Sequence, residues 1–214
     1  MADELVFYTN PMSRGRIIRW MLEEVGHPYR TEVLDYATTM KAPAYLTINP
    51  MGKVPAIKHG DTVITEAAAI CAYLADAFPQ ANLAPPHGSK ERGPYYRWMF
   101  FGAGCVEPAA TNKALGFEPP PERRATVGYG SMADVLSGLE IALKNGPYLT
   151  GESFTAADVY LGSQIGWGTQ FGTLENRPAF GPYLQRIFSR PAAVRAKEID
   201  DQLIAAAQQA QQQQ

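Results

Sequence analysis

The first eighty residues carry two hydrophobic periods in alternation. Leu5 to Tyr8 is a short run of strand type, and Ile17, Ile18, Met21, Leu22 and Val25 then recur at helical spacing. Gly26 follows as the stop of that helix, and the Glu32-Val33-Leu34 region reads as a second strand. Val54 to Ile57 and Thr62 to Ile64 flank the turn His59-Gly60-Asp61 and predict a hairpin. A helix beginning at Thr65 carries Ile70, Cys71, Leu74 and Phe78 on its apolar stripe and ends at Pro79. A strand reached through a helix runs parallel to its predecessor by a right-handed crossover, whereas hairpin strands are antiparallel. The pattern therefore predicts a mixed sheet with helices packed on it.

This order resembles a thioredoxin-like α/β architecture, and it sets a first domain at 1–80. The stretch 81–89, inside FPQANLAPPHGSK, is rich in Pro, Gly and polar residues without periodicity, as a linker is. Beyond it, Tyr95 to Val106, Ala125 to Leu143, Ala156 to Ile165 and Tyr183 to Phe188 carry helical spacing and nothing alternates as a strand does. Residues 90–207 are expected to be all α. The last residues, 208–214, are a Gln-rich tail, read either as a frayed helix end or as an unstructured appendage.

Composition removes several classes of function. The chain of 214 residues is 46% hydrophobic and 19% charged, enough for one or two domains with a core. Its 19 Lys and Arg stand against 21 Asp and Glu, a net charge of -2, so no broad cationic field exists for nucleic acid or an anionic membrane. No apolar run is long enough to span a bilayer, and MADELVFYTN is acidic where a secretory signal is basic, so the expected location is cytoplasmic. Cys71 and Cys105 form neither a disulfide framework nor a zinc spacing and are expected to be buried small apolar residues. With only His27, His59 and His87 besides, no metal site is expected.

Three segments bear on chemistry: the first strand running into Ser13-Arg14-Gly15-Arg16, then NPMGKVPAI followed by TEAAAICAYLAD, and GESFTAADVYLG in the helical half. Together, in this order and at these separations, they resemble the cytosolic glutathione S-transferase family of bacterial type. The resemblance implies a first domain that binds glutathione as co-substrate, a helical domain that shapes the pocket of a small electrophile, and a homodimer.

The residues argue for such a site on their own terms as well. Pro55 removes a backbone donor, which a strand tolerates at an edge or a bend, so the Val54-Pro55 end of the hairpin should be open. In the family this proline is cis, and Val54 would hold the cysteinyl residue of glutathione as an added strand would. Thr65-Glu66-Ala67 opens a helix whose first N–H groups lack internal partners and favour a carboxylate. The resemblance assigns Glu66 and Ala67 to the γ-glutamyl end, with Ala67 standing where the family has Ser or Thr. Lys53, ahead of Lys41, is expected to pair with the glycyl carboxylate, although a lone lysine is usually a solvated charge. Thr155 and Asp158 form a capping arrangement between Phe154 and Val159 and are expected to serve folding, not chemistry.

A thiol with an ordinary pKa of about 8.5 is only a few per cent ionised at pH 7, so a hydroxyl must favour the thiolate. Ser13 at the mouth of the first helix is the first candidate and Tyr8 at the end of the first strand the second, with Arg14 as a supporting cation by resemblance. Helix capping for Ser13 and packing for Tyr8 are the competing structural roles. Lowering a thiol pKa by about two units gains only about threefold in rate once the loss of nucleophilicity is counted. Most acceleration must come from holding the electrophile, which turns attention to Tyr95, Trp98 and Met99 as pocket lining, against a core role for each. Glutathione-dependent reduction of peroxides or disulfides is an alternative at the same site. A non-catalytic binding or scaffold protein of the same fold is another.

Overall fold

A computed structural model describes residues 3–144 and 146–212. The chain divides into two compact units, one comprising Met1–Ala81 with Arg190–Gln214 and the other Asn82–Ser189.

The first unit is built on four strands, β1 (Leu5–Thr9), β2 (Arg30–Val33), β3 (Ala56–His59) and β4 (Thr62–Thr65), in the order β2-β1-β3-β4. β1 and β2 are parallel through α1 (Gly15–Val25), and the β3–β4 hairpin is antiparallel to its neighbours. Gly26 ends α1 in the left-handed conformation (φ 70°) and returns its N–H to the Leu22 carbonyl at 3.0 Å. The short α2 (Pro43–Leu46) precedes the hairpin and α3 (Ala67–Ala77) follows it. Phe7, Ile17, Ile18, Leu22, Ile57, Ile70 and Leu74 are sealed from solvent, while Met40, Tyr45 and Ala56 form a second cluster against which Tyr8, Leu34, Ile48 and Val54 pack.

Several boundaries differ from the sequence pattern for identifiable reasons. β3 starts at Ala56, because Pro55 has no N–H to give the ladder. β2 covers Arg30–Val33 and lies earlier than the 32–34 run. Thr65 ends β4, and Glu66, not Thr65, is the residue before the first turn of α3.

The second unit holds α4 (Arg92–Phe101), a π-helical turn at Gly102–Val106, α5 (Glu107–Ala114), α6 (Met132–Ala142), α7 (Ala156–Gln170) and α8 (Phe180–Phe188). Expected helix 125–143 contracts to α6, since Gly130 takes φ 65° and Ser131 caps the helix with Asp134 in a reciprocal box. α9 (Pro191–Gln212), which the pattern did not mark, belongs to the first unit and carries the Gln-rich tail as helix as far as Gln212. Gln213 and Gln214 of that tail, and Met1 and Ala2 of the acidic N-terminal stretch, lie outside the described residues. Among the described residues no helix is long and apolar enough to cross a membrane.

Candidate functional site

The turn from β1 into α1 is tied down carbonyl by carbonyl. The buried Asn10 donates its side-chain amide to the Leu34 carbonyl at 2.8 Å and accepts the Met12 N–H on Oδ1 at 2.9 Å. Its own main-chain oxygen accepts both the Ser13 N–H (3.1 Å) and the Ser13 hydroxyl (2.7 Å). Arg16 Nε holds the Pro11 carbonyl at 2.7 Å, and the Tyr36 hydroxyl holds that of Met12 at 3.2 Å.

Ser13 is half-buried, and its Oγ also accepts the Gly15 N–H at 2.9 Å. A hydroxyl has one proton, and this one is on Asn10, so Ser13 must exchange the Asn10 carbonyl for a sulfur before it can act as a donor. Arg14, exposed, stands at the N-cap of α1 in helical conformation. Gly15 is required by close approach, since a Cβ there would lie 1.9 Å from the buried Thr9 Oγ1.

Tyr8 is half-buried in the second cluster, its ring 5.6 Å from that of Tyr45. Tyr45 donates its hydroxyl to the Lys53 carbonyl at 2.6 Å, and burial pushes that phenol up to about 12. Asn49 reaches the same carbonyl at 2.9 Å and accepts the Met51 N–H at 3.0 Å. Asn49-Pro50-Met51 thus repeats the turn made by Asn10-Pro11-Met12, each Asn bracing a neighbouring segment with its amide. Neither Asn was singled out from the sequence, although Asn-Pro is a turn-initiating pair and occurs at both places.

The brace on Lys53 presents the next residue. The Val54–Pro55 peptide is cis, and among the described residues neither the N–H nor the carbonyl of Val54 has a hydrogen-bond partner. Gly52, at φ 57°, lets the chain pass under the Met40 carbonyl, which a Cβ would approach to 2.9 Å. Lys41 is turned onto the carbonyls of Gly52 (2.7 Å) and Met51 (3.4 Å), whereas the exposed Lys53 ammonium has no partner among the described residues.

Glu66 is exposed and held at φ 67°, ψ 119°, a conformation that costs a non-glycine residue about 1–3 kcal/mol and marks a constrained position. Its side chain does not cap α3, so the first N–H groups of the helix from Ala67 onward are left for an acceptor. The sheet register brings these pieces to one edge. Ala56 pairs with Tyr8 on one side and with Thr65 on the other, so the chain leaving β1, the Val54-Pro55 bend and the mouth of α3 emerge side by side.

In the second unit, Tyr95, Trp98 and Met99 are all buried, at 0%, 5% and 3% exposure, while Phe100 of the same helix is exposed. Thr155 donates both its N–H (2.9 Å) and its hydroxyl (3.1 Å) to Asp158 Oδ2, and Leu149 N–H (2.9 Å) and the Tyr183 hydroxyl (3.1 Å) serve Oδ1. Burial nonetheless pushes the Asp158 carboxyl up to about 6. Cys71 is fully buried and its thiol pushed far up by desolvation. Cys105 departs from the buried role expected of it: it is half-exposed in the π-helical turn, its Sγ 3.5 Å from the Gly128 carbonyl. No cluster of three or more His, Cys, Asp or Glu suited to a metal occurs among the described residues.

The family model for the glutathione S-transferase N-terminal domain matches residues 12–77, which begin at the last residue of the turn and take in Ser13, α1, the Val-Pro bend and α3. Glutathione S-transferase GstA of Escherichia coli O157:H7 is 32% identical over 155 residues, 69% of this chain and 73% of its own. The disulfide-bond oxidoreductase YfcG of Escherichia coli K12 is 28% identical over 204 residues, covering 88% of this chain and 92% of its own. Among solved structures, a sphingomonad glutathione S-transferase complexed with glutathione superposes with a TM-score of 0.74 at 28% identity, over 92% of this chain and 98% of that one. The chain belongs to the glutathione S-transferase family, with the thioredoxin-like and helical parts of its fold.

Proposed function

We propose that the protein is a glutathione transferase that adds the glutathione thiolate to a small, mostly apolar electrophile. The observation that carries the reading is the common edge: the unpaired main chain of Val54 stands beside the uncapped start of α3 and the end of β1. An extended γ-glutamyl tripeptide has the groups to answer it. Its cysteinyl main chain would pair with Val54 beside Pro55, and its γ-glutamyl carboxylate would meet the N–H groups at Ala67, with the ammonium near Glu66. The glycyl carboxylate falls to Lys53, with Lys41 behind it on the Gly52 carbonyl. Ser13 is the first candidate to donate to the sulfur and Tyr8 the second, and Arg14 adds positive charge at the mouth of α1.

Residues 1–80 are the glutathione-binding domain in this reading, 81–89 the linker and 90–207 the helical region, of which the helices before α9 supply the electrophile pocket while α9 packs on α1 in the first unit. Tyr95, Trp98 and Met99 act as its packed wall. The protein is proposed to work in the cytoplasm as a homodimer in detoxification, without a metal. An ultraviolet pH titration of bound glutathione in wild type, Ser13→Ala and Tyr8→Phe tests the chemistry. Thiolate absorption below the free thiol's pKa, lost in one variant, identifies the activator, and its absence in wild type refutes thiolate catalysis.

The likeness to a disulfide-bond oxidoreductase over most of the chain favours a second reading, glutathione-dependent reduction of a disulfide or peroxide. Parallel assays with an aryl halide and with a glutathione mixed disulfide separate the two. Retention on immobilised glutathione without thiolate formation would instead indicate a binding protein.

A further inference from the structure

The Asn10–Met12 turn is held at three carbonyls, and one of the holders is itself anchored far along the chain. Arg16 Nε donates to the Pro11 carbonyl at 2.7 Å, and Arg16 Nη2 to Asp201 Oδ1 on α9 at 2.5 Å, across 185 positions of sequence. The second oxygen of Asp201 takes the Lys197 ammonium at 2.5 Å. Those two bonds, with Lys197 the larger influence, hold the Asp201 carboxyl below its ordinary range, so it is charged throughout the neutral region. Other ion pairs join α1 to α9, namely Arg19–Asp200, Glu24–Arg190 and Glu23–Arg195, but none of these three bonds the turn, as Arg16 does.

We propose that Asp201 is a positioning residue for the thiol-activating turn, holding the Arg16 guanidinium on the Pro11 carbonyl so that the C-terminal helix fixes the turn that presents Ser13. This rests on reading that turn as the thiol site. A guanidinium is a planar fork, and fixing one prong on a carboxylate fixes the direction of the other. Arg16 is about a quarter exposed and Asp201 nearly half, so water competes for both once the charge on Asp201 is gone. Because φ of proline is locked, a released Pro11 carbonyl swings about ψ and carries the Met12 and Ser13 amides with it.

Amide hydrogen exchange over residues 10–16, measured without ligand in wild type, Asp201→Asn, Asp201→Glu and Arg195→Gln, tests the link. Asp201→Asn should speed exchange in the turn about fivefold, and Asp201→Glu should restore most of the protection. Arg195→Gln breaks another contact between the same helices without touching the turn and should leave its exchange as in wild type. With glutathione and an aryl halide, Asp201→Asn should lower kcat several-fold while KM for glutathione stays within about twofold. Wild-type exchange in Asp201→Asn, or equal acceleration in Arg195→Gln, would overturn the proposal, as would a change in melting temperature with kcat unaltered. Failure of the wild type to be retained on immobilised glutathione would overturn the reading of the site instead, a result distinguishable because the exchange experiment contains no ligand.

Discussion

Arg19 and Asp200, on α1 and α9, face each other at 3.2 Å with side chains only 2% and 1% exposed. The guanidinium also donates to the Thr31 hydroxyl (2.7 Å) and the Tyr29 hydroxyl (3.1 Å) and lies 4.9 Å from the centre of the Phe7 ring. Arg19 Nη2 and Asp200 Oδ2 are buried without a partner among the described residues, and desolvation raises the Asp200 carboxyl in spite of the adjacent charge. A sealed pair of this kind contributes little over an apolar one, but halving it strands a charge. Asp200→Ala should lower unfolding free energy by about 3–5 kcal/mol, whereas the double variant Arg19→Met with Asp200→Leu should lie near wild type. Urea unfolding of the three proteins checks this.

Asp158 sets a pH dependence whose sign follows from its carboxyl being raised to about 6. The folded chain then holds a proton that the unfolded chain releases near pH 4. Stability contributed by this group is full below that point and is lost as pH climbs to about 6, by up to about 3 kcal/mol. In Asp158→Asn that loss should vanish, so the gap between the variant and wild type narrows from pH 4 to 6. Unfolding midpoints across this window measure it, and thiolate absorption of bound glutathione should be unchanged in the variant.

Gly15→Ala would drive a methyl into Thr9 Oγ1 and within 3.0 Å of Ser13 Oγ. Since Thr9 is buried, the turn must yield. The expected cost is about 1–3 kcal/mol, read by thermal melting, together with weakened thiolate absorption.

Ala67→Ser adds a hydroxyl at the second position of the α3 mouth. If the γ-glutamyl carboxylate sits there, affinity for glutathione should rise by up to roughly tenfold, the worth of one added hydrogen bond. Calorimetric titration gives the answer, and an unchanged Kd would place the carboxylate elsewhere.

The elements that dominate the first unit were readable because each repeats its own period: Ile17, Ile18, Met21, Leu22 and Val25 mark α1, and Gly26 its stop. α9 is not legible in the sequence because Asp200, Asp201 and a run of Ala and Gln replace an apolar stripe, and its partners on α1 lie 166 to 185 residues away. The site was legible as segments but not as geometry. Position in sequence gives Ser13 a hydroxyl; only the fold shows its proton spent on Asn10. Likewise Lys41 and Lys53 look alike on the page, yet one is folded back on carbonyls and the other faces solvent.

In the proposed reading Val54 would offer its peptide group, unpaired among the described residues, rather than its side chain. Recognition built that way is indifferent to which residue occupies the position, so long as the bend survives. The safeguards of such a docking edge therefore lie with its supports, Gly52 beneath and Tyr45 and Asn49 on the preceding carbonyl, and damage to those three should erase tripeptide capture more completely than any replacement of the valine itself.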